Sequence, residues 1–121
     1  IVEIGDIKQH LSHVDGVMLG RAAYQEPWRL LDVDAELFKS SAPGQTMKQA
    51  LERFIPYVEM QIAQGVRLHA MTRHLVGAFH GVPGARAFRR FLAENATQPA
   101  ADAATLRQAI ALVSDRFEVA A

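Results

Sequence analysis

Thr46-Met47-Lys48-Gln49-Ala50-Leu51-Glu52-Arg53-Phe54-Ile55-Pro56-Tyr57-Val58-Glu59-Met60-Gln61-Ile62 is the stretch from which the fold is read. Met47, Ala50, Leu51, Phe54, Val58 and Ile62 recur at three- and four-residue steps, the period of a helix with one apolar face. Thr46 and Gln49 supply the Thr-x-x-Gln form of a capping box at its start. Pro56 removes one backbone donor inside the stripe, which predicts a kink or a restart there. Gly65 marks the end. The same period then repeats downstream. Leu68, Met71, Thr72, Leu75 and Phe79 form a second stripe closed by Gly81, and Pro83 opens a third helix at its first turn. Leu106, Ala109, Ile110, Val113 and Phe117 form a fourth, with Asp102 or Thr105 as its cap. From residue 45 onward the pattern predicts an all-α bundle of four helices with short connections.

Upstream of this bundle the pattern changes. A short helix is expected from Gly5 to Leu11. Gly16-Val17-Met18-Leu19-Gly20 is an apolar run bracketed by glycines, the pattern of a buried strand in a parallel sheet, and a helix through Ala22–Leu31 should follow. One strand cannot make a sheet. The first forty residues therefore read as the end of a larger α/β domain, and Ser40-Ser41-Ala42-Pro43-Gly44 separates them from the bundle. The fold class expected is mainly α, with residues 1–40 a helix–strand–helix remnant and residues 41–121 a helical domain.

Composition bounds what such a chain does. In 121 residues, 50% are hydrophobic and 21% charged, an ordinary globular balance that argues against disorder. No run approaches about 18 apolar residues, which excludes a membrane-spanning helix. With no Cys there is no disulfide framework, cysteine-ligated metal or cysteine nucleophile. The net charge of zero hides an uneven distribution. Residues 65–94 hold five arginines (Arg67, Arg73, Arg86, Arg89, Arg90) and one acid, Glu94, a local balance of +4, against −3 before and −1 after.

At about 100° per residue, Phe88, Phe91 and Leu92 share one side of their helix, and Arg86, Arg89 and Arg90 take the other. Arg86 and Arg90 are a like-charge pair at i,i+4, with relief offered only by Glu94, four residues beyond Arg90. If the second stripe is one helix, His69, Arg73 and His80 project within about 40° of one another. Such clustering fits contact with a phosphate backbone, which needs charge and no base reading. A solvated charged face, or ion pairs inside the bundle, fits the same residues. Gly20 and Arg21 form a second candidate: a glycine turn opening a helix admits a phosphate, and Arg21 adds a guanidinium. A turn that merely packs strand on helix reads the same way. The histidines carry no His-Glu-x-x-His pattern and no nearby carboxylate, so no metal site is expected at His69, His74 or His80. Tyr24 and Trp28 are read as core, and His10 and His13 as partly buried or surface residues.

Two blocks carry a resemblance. His13-Val14-Asp15-Gly16-Val17-Met18-Leu19-Gly20-Arg21-Ala22-Ala23-Tyr24 resembles the strand-eight segment of the tRNA-dihydrouridine synthases, A subfamily. Thr72-Arg73-His74-Leu75-Val76-Gly77-Ala78-Phe79-His80-Gly81-Val82-Pro83-Gly84-Ala85-Arg86-Ala87-Phe88-Arg89-Arg90-Phe91-Leu92 resembles that family's C-terminal helical domain, in the same order and at the same spacing.

The resemblance implies an FMN-dependent (β/α)8 TIM-barrel enzyme of the cytoplasm that uses NADPH to reduce D-loop uridines of tRNA, near position 20, to 5,6-dihydrouridine. Hydride passes from NADPH to the flavin and on to uracil, with a cysteine as general acid. Carried onto this sequence, Gly20 and Arg21 hold the FMN phosphate, and Arg67, Arg73, His74, Arg86, Arg89 and Arg90 belong to the helical domain that receives tRNA. The chain departs from the family in extent. Ile1 aligns just after the Asn-Gly-Gly closing strand seven, so most of the barrel, the cysteine and the uracil-binding residues are absent. The chain alone is expected to be inactive and to retain no FMN, with Val17, Met18 and Leu19 left to fold on the bundle, self-associate or stay disordered. A non-enzymatic helical module that binds nucleic acid or protein through its arginine face is the alternative, and a purely structural interaction domain a third.

Overall fold

The computed structural model describes residues 3–39 and 45–114, and among them every regular element is helical. The chain divides into two compact units, Ile1–Thr46 and Met47–Ala121.

In the first unit, α1 (Ile4–Leu11) starts from a reciprocal cap, with the Glu3 side chain accepting from the Asp6 backbone and the Asp6 side chain from the Glu3 backbone. Ile7 is its buried residue. α2 (Arg21–Gln25), a 3₁₀ helix (Pro27–Asp32) and α3 (Val33–Leu37) follow. Arg29 ties these pieces together, reaching Glu26 and, at 3.0 Å, Glu3. Its hydrogen bond to Glu26, then the charges of Glu26 and Glu3, hold its pKa above the ordinary value.

Two expectations for this unit are corrected. The segment 16–20 is neither strand-paired nor buried: Met18 is 77% exposed. A strand gets its backbone partners from a neighbour, and the described residues provide none. The single helix through Ala22–Leu31 is instead broken at Glu26. Pro27 disfavours helical backbone in the residue before it, and Glu26 stands at φ −134°, ψ 63°. Tyr24 is exposed, not core, and Trp28 is half-buried on the following 3₁₀ helix. His10 and His13 are both exposed.

The second unit holds four helices among its described residues: α4 (Met47–Ala63), α5 (Leu68–Thr72), α6 (Ala85–Asn95) and α7 (Ala103–Ala111). α4 passes through Pro56 without a restart and places Leu51, Ile55 and Val58 in the core. It ends as expected at Gly65, where φ is +95°: the Val66 N–H donates to Gln61 O at 3.0 Å and the Gly65 N–H to Ile62 O at 2.9 Å, a Schellman closure. α7 starts at Asp102, whose carboxylate accepts from the Ala104 N–H while the Thr105 hydroxyl accepts from the Asp102 N–H. The two residues weighed as alternative caps are the two halves of one capping box. Leu106, Ala109, Ile110 and Val113 are buried, and Phe117 lies outside the described residues, as do residues 40–44 of the expected break.

The second stripe is not one helix. α5 stops at Thr72, and residues 73–84 form successive turns, with Leu75 N–H to Thr72 O, Ala78 N–H to Leu75 O and Val82 N–H to Phe79 O. Gly77, Gly81, Gly84 and Pro83 all lie within a dozen residues and undercut helix propensity there. Burial still holds the segment: Ala78 and Phe79 are in the core, and Phe79 meets Phe88 edge-on, with centroids 4.9 Å apart and planes at 83°. α6 correspondingly starts at Ala85, two residues after Pro83, with Gly84 at φ +93° as its N-cap.

Candidate nucleic-acid interface

α6 is the helix around which the basic groups are organised. Its apolar side packs as its sequence dictates, with Ala85, Phe88 and Leu92 buried and Phe91 half-buried. Arg86 and Arg90 therefore point to solvent, and both are exposed. Arg89 stands at the border of the apolar stripe and is half-buried.

The predicted arginines have different partners. Arg90 Nε donates to Glu94 Oε1 at 2.9 Å, the relief that the spacing foretold. Arg67 Nη2 donates to the Thr97 carbonyl at 3.2 Å, just beyond the last turn of α6, where a cation satisfies orphan carbonyls and the helix dipole together. Arg73, the residue that closes α5, and Arg86 are exposed, and neither they nor Arg89 have an ion-pair or hydrogen-bond partner among the described residues. His74 is exposed in the turn after α5, its backbone N–H donating to Met71 O at 3.3 Å.

The angular grouping of His69, Arg73 and His80 does not survive, because His80 lies beyond the end of α5. All three are nonetheless exposed. Among the described residues no three His, Asp or Glu side chains converge as metal ligands, and no helix is long and apolar enough to cross a membrane.

Some basic groups escaped the sequence reading. Lys48, near the start of α4, spends its ammonium on the Val113 carbonyl at 2.9 Å, and Arg107 on α7 reaches Glu59 on α4 at 3.4 Å. Both bonds brace the bundle. Arg53 is exposed and without an ion pair among the described residues, but Glu52 beside it cancelled its signal in a count of local charge.

In the first unit, Gly20 is the N-cap of α2 and Arg21 its first residue. Arg21 is exposed and has no ion pair among the described residues. Gly20 has a negative φ of −101°, and a β-carbon there would meet only Met18 Sδ, at 3.7 Å. Nothing in the described packing requires a glycine at this position. The turn thus offers a guanidinium and the unshared N–H groups of a helix start, a donor set that suits a phosphate.

Comparison with known proteins places these features in a family. The dihydrouridine synthase (Dus) family model matches residues 1–114. Among curated relatives, the tRNA-dihydrouridine(20/20a) synthase of Yersinia pestis is 46% identical over 114 residues, 94% of this chain and 33% of the relative. The enzymes of that name from Vibrio vulnificus (strain CMCP6) and Escherichia coli (strain K12) are each 44% identical. Those alignments cover 98% and 96% of this chain, and 36% and 34% of the relatives. The chain spans about a third of the length of the curated relatives it matches.

Proposed function

The chain belongs to the dihydrouridine synthase family, and from that membership we propose that it is the C-terminal part of a tRNA-dihydrouridine synthase, with residues 1–40 the end of an FMN-binding TIM barrel and residues 41–121 a helical domain that receives tRNA. The observation that carries this reading is the charge of the second unit. Arg73 and Arg86 are exposed and Arg89 half-buried, all three without a carboxylate partner among the described residues, and Glu94 is the one acid in a thirty-residue stretch with five arginines. Unneutralised guanidiniums on a stable helical scaffold release counterions when they meet a polyanion.

Within a complete synthase, Gly20 and Arg21 would hold the FMN phosphate, with Gly20 allowing close approach and Arg21 supplying charge. The flavin supplies hydride transfer to the uracil ring, with NADPH as the reductant, and the chain's own contribution there is anchoring and orientation. One phosphate anchor does not make a ring pocket, so the chain by itself is read as inactive and flavin-free. Reduction of a D-loop uridine near position 20 in the cytoplasm, with His74 and Arg67 near the bound RNA, completes the proposal. The alternative, a helical module that engages a protein partner through the same arginines, differs in its dependence on RNA shape.

A titration of the chain against unmodified tRNA at two salt concentrations tests the reading. Binding that weakens steeply with salt, and that prefers tRNA to a plain RNA duplex, is the expected result. No binding at low salt would overturn the assignment of tRNA reception to this unit.

A further inference from the structure

We propose that Glu94 withholds Arg90 from RNA, so that of the five arginines between residues 65 and 94 it is Arg73, Arg86 and Arg89 that carry phosphate contacts; this deepens, and rests on, the tRNA reading above. Arg86, Arg90 and Glu94 lie in one row of α6, each about 40° further round the helix than the last. In that row the Arg90 guanidinium is joined to Glu94 at 2.9 Å, with side-chain exposures of 79% and 59%.

A pair so exposed is easily broken, and its strength is not what excludes Arg90. The exclusion comes from charge. A phosphate that took the guanidinium would meet the carboxylate of Glu94, whose β-carbon stands only about 5–6 Å from that of Arg90 at the i,i+4 spacing, and the repulsion between the two anions offsets the attraction.

Glu94 acts selectively. Arg86 is eight residues away, about 12 Å along the helix axis, beyond a Debye length of about 8 Å at physiological salt. Arg89 lies about 140° around the helix from Glu94. Arg67 is set apart by a different bond: its Nη2 is committed to the Thr97 carbonyl, which fixes the guanidinium at the end of α6. Its role is to position that helix end.

The experiment measures tRNA affinity against salt for the unsubstituted chain and for Arg89→Ala, Arg90→Ala, Glu94→Gln and the Arg90→Ala/Glu94→Gln double variant, with circular dichroism to verify the fold of each. The proposal expects Arg89→Ala to weaken binding and to flatten the log–log salt slope by about 0.7 to 0.9, the loss of one phosphate contact. It expects Arg90→Ala to change affinity less than twofold, roughly the effect of a screened surface charge. Glu94→Gln should tighten binding and steepen the slope by the increment of one contact, and the double variant should lose that gain.

Arg90→Ala losing as much as Arg89→Ala, or Glu94→Gln leaving affinity and slope unchanged, would overturn the proposal while the tRNA reading stands. Absence of salt-sensitive tRNA binding by the unsubstituted chain would sink both.

Discussion

Gly84 abuts Val113 so closely that a β-carbon on the glycine would lie 2.8 Å from the Val113 Cα. The glycine is at φ +93°, capping α6, and the approach seats the start of α6 on the backbone that follows α7. The Ser114 N–H donating to Pro83 O at 3.1 Å and Lys48 Nζ donating to Val113 O at 2.9 Å hold the same corner.

Gly84→Ala therefore meets two penalties. The left-handed backbone costs a residue with a β-carbon about 1–2 kcal/mol, and the clash is with main chain, which cannot swing aside as a side chain can. Gly81 is the internal control, at φ +80° with nothing within 4 Å of its added β-carbon. In urea unfolding, Gly81→Ala should cost about 1 kcal/mol and Gly84→Ala about 3 kcal/mol or more, the size of effect reserved for strain and overpacking. Equal losses at the two sites would show that the close approach is not part of the native fold.

Thr72 yields the opposite sign. It is 2% exposed, and its Oγ1 is buried without a hydrogen-bond partner among the described residues. Desolvating a hydroxyl with no return costs free energy that a methyl group of the same shape avoids. Thr72→Val should raise the urea midpoint by an amount worth about 1 kcal/mol, with the m-value unchanged. A destabilised Thr72→Val would mean that the hydroxyl has a partner in solution.

The sequence disclosed most where a single local rule had no rival. The Gly65 closure and the buried side of α7 needed only the helix period and the known chemistry of helix ends. The α6 arginines were legible for the same reason, since burying Phe88 and Leu92 forces Arg86 and Arg90 outward. Residues 73–84 mislead because Leu75, half-buried, and Phe79, buried, keep helical spacing while packing on the core from turns. Periodicity reports which residues are inside, not which backbone takes them there. The partners of Arg67 and Lys48 were invisible because both are backbone carbonyls far along the chain, and sequence carries no trace of a carbonyl.

Asp102 is a cap whose removal has a bounded cost. Its carboxylate accepts from the Ala104 N–H at 3.0 Å, and its own N–H donates to the Thr105 hydroxyl at 3.2 Å. Asp102→Ala removes the first bond and the favourable charge at the helix start, and should lower stability by about 1 kcal/mol. Asp102→Ser or Asp102→Asn should recover most of the loss, because each still offers an oxygen to the orphan N–H. Failure of both to rescue would show that Asp102 acts through a long-range charge and not through the cap.

Gly20 separates a glycine kept for a ligand from one kept for the fold. Its φ is −101° and an added β-carbon would meet only Met18 Sδ, at an ordinary contact distance of 3.7 Å, so Gly20→Ala should shift the stability of this chain by about 0.5 kcal/mol at most. The proposed role lies in a complete synthase, where the added methyl would stand between the backbone and a phosphate. There the same substitution should lower the flavin content of the purified enzyme, and Arg21→Ala should do so further, while both variants melt normally when stripped of flavin. A Gly20→Ala chain that unfolds as readily as Gly84→Ala would assign the glycine to packing and remove it from the phosphate site. Full flavin retention by Arg21→Ala would detach the guanidinium from that site, leaving its charge to the tRNA-facing surface or to solvent.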